Sequence, residues 1–160
     1  MKKTDKTNVC RLLDAAKVSY EVIAYEVDES DLSVEHVAAQ LGLSPAEVYK
    51  TLVLRGDRTG LFVCVVPGGH DVDLKKAARA SGNKRAEMLP LKELLPSTGY
   101  IRGGCSPLGM KKALPTFLHE ACVEHATICV SAGRRGLQVR LSPTTLADLA
   151  HATLADIATE

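Results

Sequence analysis

Residues 48–68 read VYKTLVLRGDRTGLFVCVVPG, two runs rich in β-branched and other apolar residues on either side of a short polar stretch. Runs of this composition predict strands, and the stretch Gly56-Asp57-Arg58-Thr59 is typical of the turn that joins two antiparallel strands. We therefore predict a β-hairpin here, and the rest of the fold is inferred outward from it.

Helical spacing and capping residues predict helices on both sides of the hairpin. Ser44, Pro45 and Glu47 form a capping box, but only a short turn fits before the hairpin begins. The longer predicted helices cover residues 8–17, a segment capped near Ser33 and closed by Gly42, residues 71–81 with Asp71 or Asp73 as cap, residues 89–96 between two prolines, and residues 142–152 with Ser142 as cap.

Alternating or apolar runs predict three further strands, at residues 19–27, 126–133 and 137–142. Strands and helices are mixed along the chain without a regular βαβ alternation. This order predicts an α+β fold with an antiparallel or mixed sheet, or a barrel. The length of 160 residues predicts a single domain over residues 1–160.

Composition and charge indicate the cellular compartment and the kinds of binding partner to expect. No run reaches 18 apolar residues, and the start MKKTDKTNVCRLLDAAK lacks the apolar core of a signal peptide. We therefore expect a cytoplasmic protein with no membrane partner, and its five cysteines to be reduced thiols. Residues 50–140 carry fifteen basic and seven acidic residues, a net charge of +8. That segment could follow a phosphate backbone, although the sequence alone favours a solvated lysine-rich surface.

Lys50 is the first candidate functional residue. Strand alternation places it on one face with Val48, Leu52 and Leu54, where a lysine is costly to bury without a partner. The alternative is an edge strand, on which the stem of the lysine lies along apolar surface while its ammonium reaches water.

The loop TGYIRGGCSPLG, residues 98–109, places Cys105 and Ser106 among turn-forming residues. A nucleophilic Cys or Ser needs a neighbouring base, and the flanking residues do not form G-x-S-x-G. The alternative is a loop whose glycines let backbone N–H groups approach an anion or a carbonyl. The segment SAGRRG, residues 131–136, could be a second loop of this kind.

The segment HEACVEH places His119, Cys122 and His125 three residues apart. On a helix they would share one face and could bind zinc. A fourth ligand is not evident and the spacing matches no closed zinc motif, so we expect no metal.

Five stretches together resemble the YbaK family of bacterial aminoacyl-tRNA deacylases, which edit Cys-tRNA(Pro) and belong to the prolyl-tRNA synthetase editing-domain superfamily. The stretches read VYKTLVL, VDLKKAARA, STGYIRGGCSPLGMKKALPT, ATICVSAGRRGLQV and LADIA, and the resemblance as a whole extends over about residues 9–157. The resemblance implies a mixed sheet curled into a barrel-like form and flanked by helices. It departs at Cys105, where the family usually has an aliphatic residue, and at Ala132, where it has a second glycine.

The resemblance also implies the site and the activity. Lys50 would be the key residue and Gly104 its partner in catalysis, while the substrate-binding residues would be Tyr25, Thr51, Gly103, Cys105, Ser106, Pro107, Ser131 and Gly133. The expected reaction is release of cysteine from Cys-tRNA(Pro), or from Cys-tRNA(Cys), without a cofactor. The substrate thiol would attack its own ester carbonyl, and backbone N–H groups of residues 103–106 would stabilise the oxyanion.

Alternatives from other classes remain open at this point. A relative acting on Ala-tRNA(Pro) would have to use water as the nucleophile, and a non-catalytic module would only bind tRNA or a synthetase. The expected partners are the acceptor end of tRNA(Pro) and, by resemblance alone, prolyl-tRNA synthetase.

Overall fold

The computed structural model describes residues 6–160, so the first five residues of the amino-terminal segment discussed above lie outside it. Thirteen helices and strands follow one another in these residues: α1 (Asn8–Ala15), β1 (Glu21–Ala24), α2 (Val34–Leu41), β2 (Tyr49–Gly56), β3 (Gly60–Pro67), α3 (Leu74–Ser81), β4 (Ala86–Met88), α4 (Leu91–Thr98), β5 (Thr116–His119), β6 (Ile128–Ser131), β7 (Leu137–Leu141), α5 (Pro143–Ala150) and β8 (Ala152–Ala155). Two single-turn 3₁₀ helices lie at Pro45–Glu47 and Glu120–Glu124. The predicted α+β class is confirmed.

Helix boundaries follow the predicted capping residues. Ser33, Asp73 and Ser142 each accept a backbone N–H of the first turn of their helix, and Gly42 closes α2 in the left-handed conformation with φ +70°. The capping box at Ser44 and Glu47 is also present. The prediction for α4 was wrong at its carboxyl end, because the helix continues past Pro96 to Thr98 and ends at Gly99.

The predicted hairpin is the centre of the larger sheet. β2 pairs with β3 antiparallel from Tyr49↔Pro67 to Gly56↔Gly60, and the five strands lie in the order β4-β2-β3-β5-β8. β3 pairs with β5 in parallel, and β5 with β8 in parallel. β4 contacts only Leu54–Gly56 in the ladder with β2, so the first half of β2 has a ladder partner on one side only within residues 6–160.

The second sheet has the order β1-β7-β6 and is antiparallel. One parallel bridge, Val48↔Cys129, connects it to the start of β2. The expected barrel is therefore not closed: the described strands form two sheets with free ends at β4, β8, β1 and β6. The main core lies between these layers and includes Leu13, Tyr49, Ile128 and Val139, all at most 2% exposed.

Residues 157–159 are bonded to a segment far earlier in the chain. The Asp73 N–H donates to the Ile157 carbonyl at 2.8 Å, and the Thr159 N–H donates to the Asp71 carbonyl at 2.8 Å. A bridge between Val72 and Ala158 lies between these two bonds. The segment that carries Asp71 is thus held in place by residues that follow β8.

All five cysteines are free and buried, in agreement with the expectation of reduced thiols. No helix in residues 6–160 is both long and apolar enough to cross a membrane.

Candidate functional site

A cavity of about 560 Å³ lies between β2 and the smaller sheet. The start of α2 and the loop at residues 102–105 complete its walls. We call it the Lys50 cavity, and its polar or charged lining includes Tyr25, Glu35, Lys50, Thr51, Arg102, Ser131 and Gln138. Its volume is typical of sites for small ligands, about 300–1,000 Å³.

Lys50 reaches this cavity from the half of β2 that β4 does not cover. It pairs with Val66 of β3 in the sheet, and its side chain is 24% exposed. The ammonium lies 3.4 Å from Oδ1 of Asp71. Of the two settings considered above, the edge-strand setting is the one found, and it opens onto a cavity instead of bulk solvent.

Glu35, in the first turn of α2, adds a carboxylate to the same wall. The pKa of Glu35 is lowered, mainly because its Oε1 accepts the Gly69 N–H at 2.7 Å, and the charge of Lys50 adds to this effect. The carboxylate is therefore ionised near neutral pH, and the site carries charges of both signs.

Two buried polar atoms in the cavity wall have no partner within the described residues. They are Oγ1 of Thr51 and Oε1 of Gln138, and Gln138 is only 3% exposed. A buried polar atom without a hydrogen bond costs about 1–3 kcal/mol. Both residues line the same cavity, so its wall contains two polar atoms without a partner among the described residues.

The loop before β5 contributes Gly103 and Cys105 to the cavity. Gly103 has φ +84°, which favours glycine. Gly104 lies behind it, because a Cβ there would come within 3.1 Å of the Arg134 Cα. Its N–H donates to the Ile101 carbonyl at 2.9 Å, so in this conformation it is not available to a substrate.

The side chains after Gly104 are buried. Oγ of Ser106 accepts the Leu108 N–H at 3.3 Å, which stabilises the turn, and Pro107 is also enclosed. Burial raises the pKa of the Cys105 thiol to about 12. A thiol with this pKa is protonated near neutral pH and is a weak nucleophile.

The loop between β6 and β7 packs against the first loop. Ser131 lines the cavity, and its Oγ accepts the Gly133 N–H at 3.1 Å. Gly133, with φ +100°, lies outside the cavity against Val9 and Tyr100. The Arg135 Nε donates to the Arg102 carbonyl at 2.7 Å and joins the two loops.

The structure thus brings together six of the ten candidate residues around one cavity: Tyr25, Lys50, Thr51, Gly103, Cys105 and Ser131. The other four, Gly104, Ser106, Pro107 and Gly133, shape the loops behind it. Sequence reasoning missed Gln138. Its available signal was a polar residue in a strand directly after the SAGRRG loop, on the face opposite Leu137 and Val139.

The histidine and cysteine triplet does not share a helix face. His119 ends β5, where its Nδ1 accepts the Ile157 N–H at 3.2 Å, and Cys122 is buried in the following 3₁₀ helix. Burial lowers the pKa of His119. Within residues 6–160, no group of three or more His, Cys, Asp or Glu side chains is arranged to hold a metal ion.

The chain is similar in sequence to proteins and domains whose names refer to aminoacyl-tRNA. Residues 28–149 match the family model described as "Aminoacyl-tRNA editing domain". An Enterococcus faecalis protein named "Putative Cys-tRNA(Pro)/Cys-tRNA(Cys) deacylase EbsC" is 48% identical over 160 residues, 99% of this chain and 98% of that protein. A "Proline--tRNA ligase" of Bacillus licheniformis is 28% identical over 103 residues, which are 64% of this chain and 18% of the ligase.

A solved structure has the same fold. It is described as "Crystal structure of a putative trans-editing enzyme for prolyl tRNA synthetase", with a TM-score of 0.80 and 23% identity over 96% of this chain and 99% of that one.

Proposed function

The chain belongs to the aminoacyl-tRNA editing domain family, and from this we propose that it is a deacylase that releases cysteine from Cys-tRNA(Pro), and secondarily from Cys-tRNA(Cys). The name of the relative that is 48% identical supports this substrate. One observation carries the proposal: Lys50, Thr51 and Gln138 line the same cavity. Lys50 contributes an ammonium, and Thr51 and Gln138 each contribute a buried side-chain oxygen without a partner among the described residues.

We assign the substrate's parts to this cavity by their chemistry. The aminoacyl ester carries an α-ammonium, for which Oγ1 of Thr51 and Oε1 of Gln138 are suitable acceptors. The ammonium of Lys50 suits the anionic parts of the substrate, which are the thiolate as it forms and the terminal phosphate. Tyr25 and Ser131 also line the cavity, and Ser131 pairs with Gln138 in the smaller sheet.

The substrate thiol is the nucleophile in this proposal. Its sulfur forms a bond to the ester carbonyl carbon, the ester C–O bond breaks, and the tRNA 3′ oxygen leaves with the proton that the thiol has lost. The cyclic thioester then takes up water and opens to free cysteine. The attack is intramolecular, and a well-oriented attack of this kind reaches effective molarities of about 10⁵ M or more.

Protein sulfur is poorly suited to the same task. Cys105 is the cysteine that lines the cavity, and with a pKa of about 12 its thiol stays protonated near neutral pH. Lys50, in contrast, provides a positive charge that favours a thiolate on the substrate. The chemistry is therefore assigned to the substrate's sulfur.

Two N–H groups of the predicted donor segment, residues 103–106, differ in their hydrogen bonding. The Gly104 N–H donates to the Ile101 carbonyl, whereas Cys105 lines the cavity and its N–H makes no hydrogen bond within residues 6–160. We assign the donor role to the Cys105 N–H. One such donor contributes about 3–4 kcal/mol to transition-state stabilisation.

A deacylation panel tests the function. Cys-, Ala-, Ser- and Pro-tRNA(Pro), and Cys-tRNA(Cys), are incubated with the protein, and release of the amino acid is measured. We expect release of cysteine and little release of the other amino acids, since alanine has no nucleophile and a seryl hydroxyl is much weaker than a thiol. Release of alanine at the rate of cysteine would instead support a deacylase that uses water.

We place this reaction in the cytoplasm and beside prolyl-tRNA synthetase. The likeness to part of a proline–tRNA ligase supports the second point, because a domain of this fold lies within that enzyme's length. Co-purification of the two proteins with and without tRNA(Pro) tests it.

A further inference from the structure

A second cavity, of about 590 Å³, lies at the hairpin end of β2, between α3 and β4. We call it the basic groove, because four of its lining residues are cations: Arg55, Lys75, Lys84 and Arg85. Asp57 and Glu87 are its acidic residues. Nothing in the proposed reaction uses it.

One buried side chain next to the lining residues of the basic groove holds their backbone in place. Asn83 is 7% exposed, and its Oδ1 accepts the N–H groups of Arg58 and Thr59 at 2.8 and 2.9 Å. It lies directly over Gly56, where a Cβ would be 2.2 Å from its Cγ. The hairpin turn and the end of α3 are therefore held together, and the cations are presented from a rigid frame.

The carboxylates of the groove leave most of the positive charge available. Asp57 accepts the backbone N–H groups of Lys84 and Arg85 through Oδ1, at 3.0 and 3.1 Å. Arg55 pairs with Glu93 at 2.7 Å. Lys75, Lys84 and Arg85 are exposed and form no ion pair within 4.0 Å among the described residues. Such a cluster suits a polyanion.

The basic groove and the Lys50 cavity both border β2 and β4. β2 provides Lys50 to one and Arg55 to the other, and β4 provides Met88 to the first and Glu87 to the second. Five strand residues separate Lys50 from Arg55, a distance of about 17 Å at 3.4 Å per residue. A helical nucleic-acid strand has one phosphate per 3.4 Å of axis, so this distance corresponds to about five nucleotides.

We infer that the basic groove binds the phosphate backbone of the tRNA acceptor end, about five nucleotides from the aminoacylated ribose. This inference rests on the proposed function, which puts the ribose and its amino acid in the Lys50 cavity. The groove would then determine tRNA affinity independently of the amino acid. An acidic surface of a protein partner is the competing occupant.

The test compares two triple variants of equal charge. Lys75→Gln/Lys84→Gln/Arg85→Gln removes the unpaired cations of the groove and leaves Arg55 with Glu93. The control, Arg11→Gln/Lys111→Gln/Lys112→Gln, removes three exposed cations elsewhere. Binding of deacylated tRNA(Pro) is measured between 50 and 200 mM salt, and thermal melting verifies that each variant is folded.

We expect the groove variant to bind tRNA at least about tenfold more weakly at 50 mM salt, with the slope of log K against log salt reduced by about 2. The control should stay within about threefold of the wild type. Cysteine release from a minimal ester, 3′-cysteinyl-adenosine, should be unchanged in both. An unchanged tRNA affinity and slope in the groove variant would overturn the inference, and lost co-purification with the synthetase would then assign the groove to a protein.

The experiments distinguish a failure of the proposed deacylase function from a failure of the proposed tRNA binding by the basic groove. Binding of deacylated tRNA does not require turnover, so a wild-type protein that releases no amino acid contradicts the proposed function while the groove is still measured. A groove variant that loses activity on the minimal ester as strongly as on tRNA would show that the groove belongs to the reaction site, which also contradicts the inference.

Discussion

The ammonium of Lys50 lies 3.4 Å from Oδ1 of Asp71, a carboxylate whose side chain is 87% exposed. Pairs of this kind contribute only about 0.2–1 kcal/mol to stability, because water screens the exposed partner. The ion pair therefore orients Lys50 while leaving its positive charge largely uncompensated. A substrate anion can displace Asp71 at a small cost in free energy.

Replacing Lys50 by Ala should lower cysteine release from Cys-tRNA(Pro) more than tenfold, a loss above about 1.4 kcal/mol of transition-state stabilisation. The melting temperature should change little, since the lysine has only an exposed partner. Single-turnover deacylation and thermal unfolding measure the two effects. Asp71→Asn is the matched control and should keep activity within about threefold. A Lys50→Ala enzyme with more than a tenth of the wild-type rate would show that the lysine is not central.

Replacing Cys105 by Ala should leave the enzyme active, and its pH–rate profile should match that of the wild type. The reason is that a thiol with a pKa of about 12 supplies no thiolate near neutral pH. Gly104→Pro should be inactive, because it removes the N–H bonded to Ile101 and puts ring atoms against the Arg134 backbone. Initial rates between pH 6 and 9 make the comparison.

Covalent catalysis by the protein would give a different pattern. The Cys105→Ala protein would be folded but inactive with every substrate, and mass spectrometry of the quenched wild-type reaction would detect a thioester adduct on Cys105. Together these results would replace the substrate-thiol mechanism.

Thr51→Val and Gln138→Leu should each raise the KM for Cys-tRNA(Pro) about tenfold without loss of stability. A hydrogen bond to a charged group is worth about 1.5–3 kcal/mol, which the substrate ammonium would lose. In the free protein the same atoms are buried without a partner, so their removal relieves a penalty. Steady-state kinetics and denaturant titration separate the effects. A variant that is less stable and has an unchanged KM would show that the atom serves the fold.

Stability should decline when the pH rises above about 9. Burial raises the pKa of Cys64 and Cys105 to about 12 and that of Cys129 to about 11, from an ordinary value of 9.0. The folded protein keeps these protons while the unfolded chain loses them, so stability present below pH 9 is lost as the pH rises toward 11–12. Urea unfolding between pH 7.5 and 10.5 measures it, and Cys105→Ala should make the decline less steep. Equal slopes would contradict the role of this thiol.

The sequence predicted those elements whose signals are local. Ser33 and Gly42 bound α2 because a cap needs only its own turn, and the hairpin follows from two adjacent apolar runs. β4, β5 and β8 were missed because each is a strand by virtue of pairing with distant partners. Thr116 of β5, for example, pairs with Val63, and no local pattern encodes such a parallel pair. The mixed sheet was predicted, but that the barrel-like form stays open was not, since closure depends on how two sheets meet.

The site divides in the same way. Lys50 could be found because strand alternation makes a lysine beside Leu52 and Leu54 conspicuous. Gln138 was missed: its position after the SAGRRG loop is only a weak signal, and tertiary packing makes it a 3%-exposed amide without a partner among the described residues. Gly103 and Gly104 were both recognised from sequence as loop residues. The hydrogen bond from the Gly104 N–H to the Ile101 carbonyl was not, because it depends on how the backbone turns. Sequence therefore indicated the loop but could not distinguish the bonded N–H of Gly104 from the N–H of Cys105, which has no such bond within residues 6–160.

The bond between Asp71 and Thr159 also sets a time at which the Lys50 site can first exist. The two residues are 88 positions apart, and the ion-pair partner of Lys50 lies on the earlier segment. At about 5–20 residues per second, a ribosome needs roughly 4–18 seconds to add that stretch. Throughout that interval, a nascent chain that has already formed the β2–β3 hairpin contains Lys50 while the segment of Asp71 still lacks its hydrogen bond to Thr159. The surroundings of Lys50 are therefore completed only after residue 159 has been synthesised.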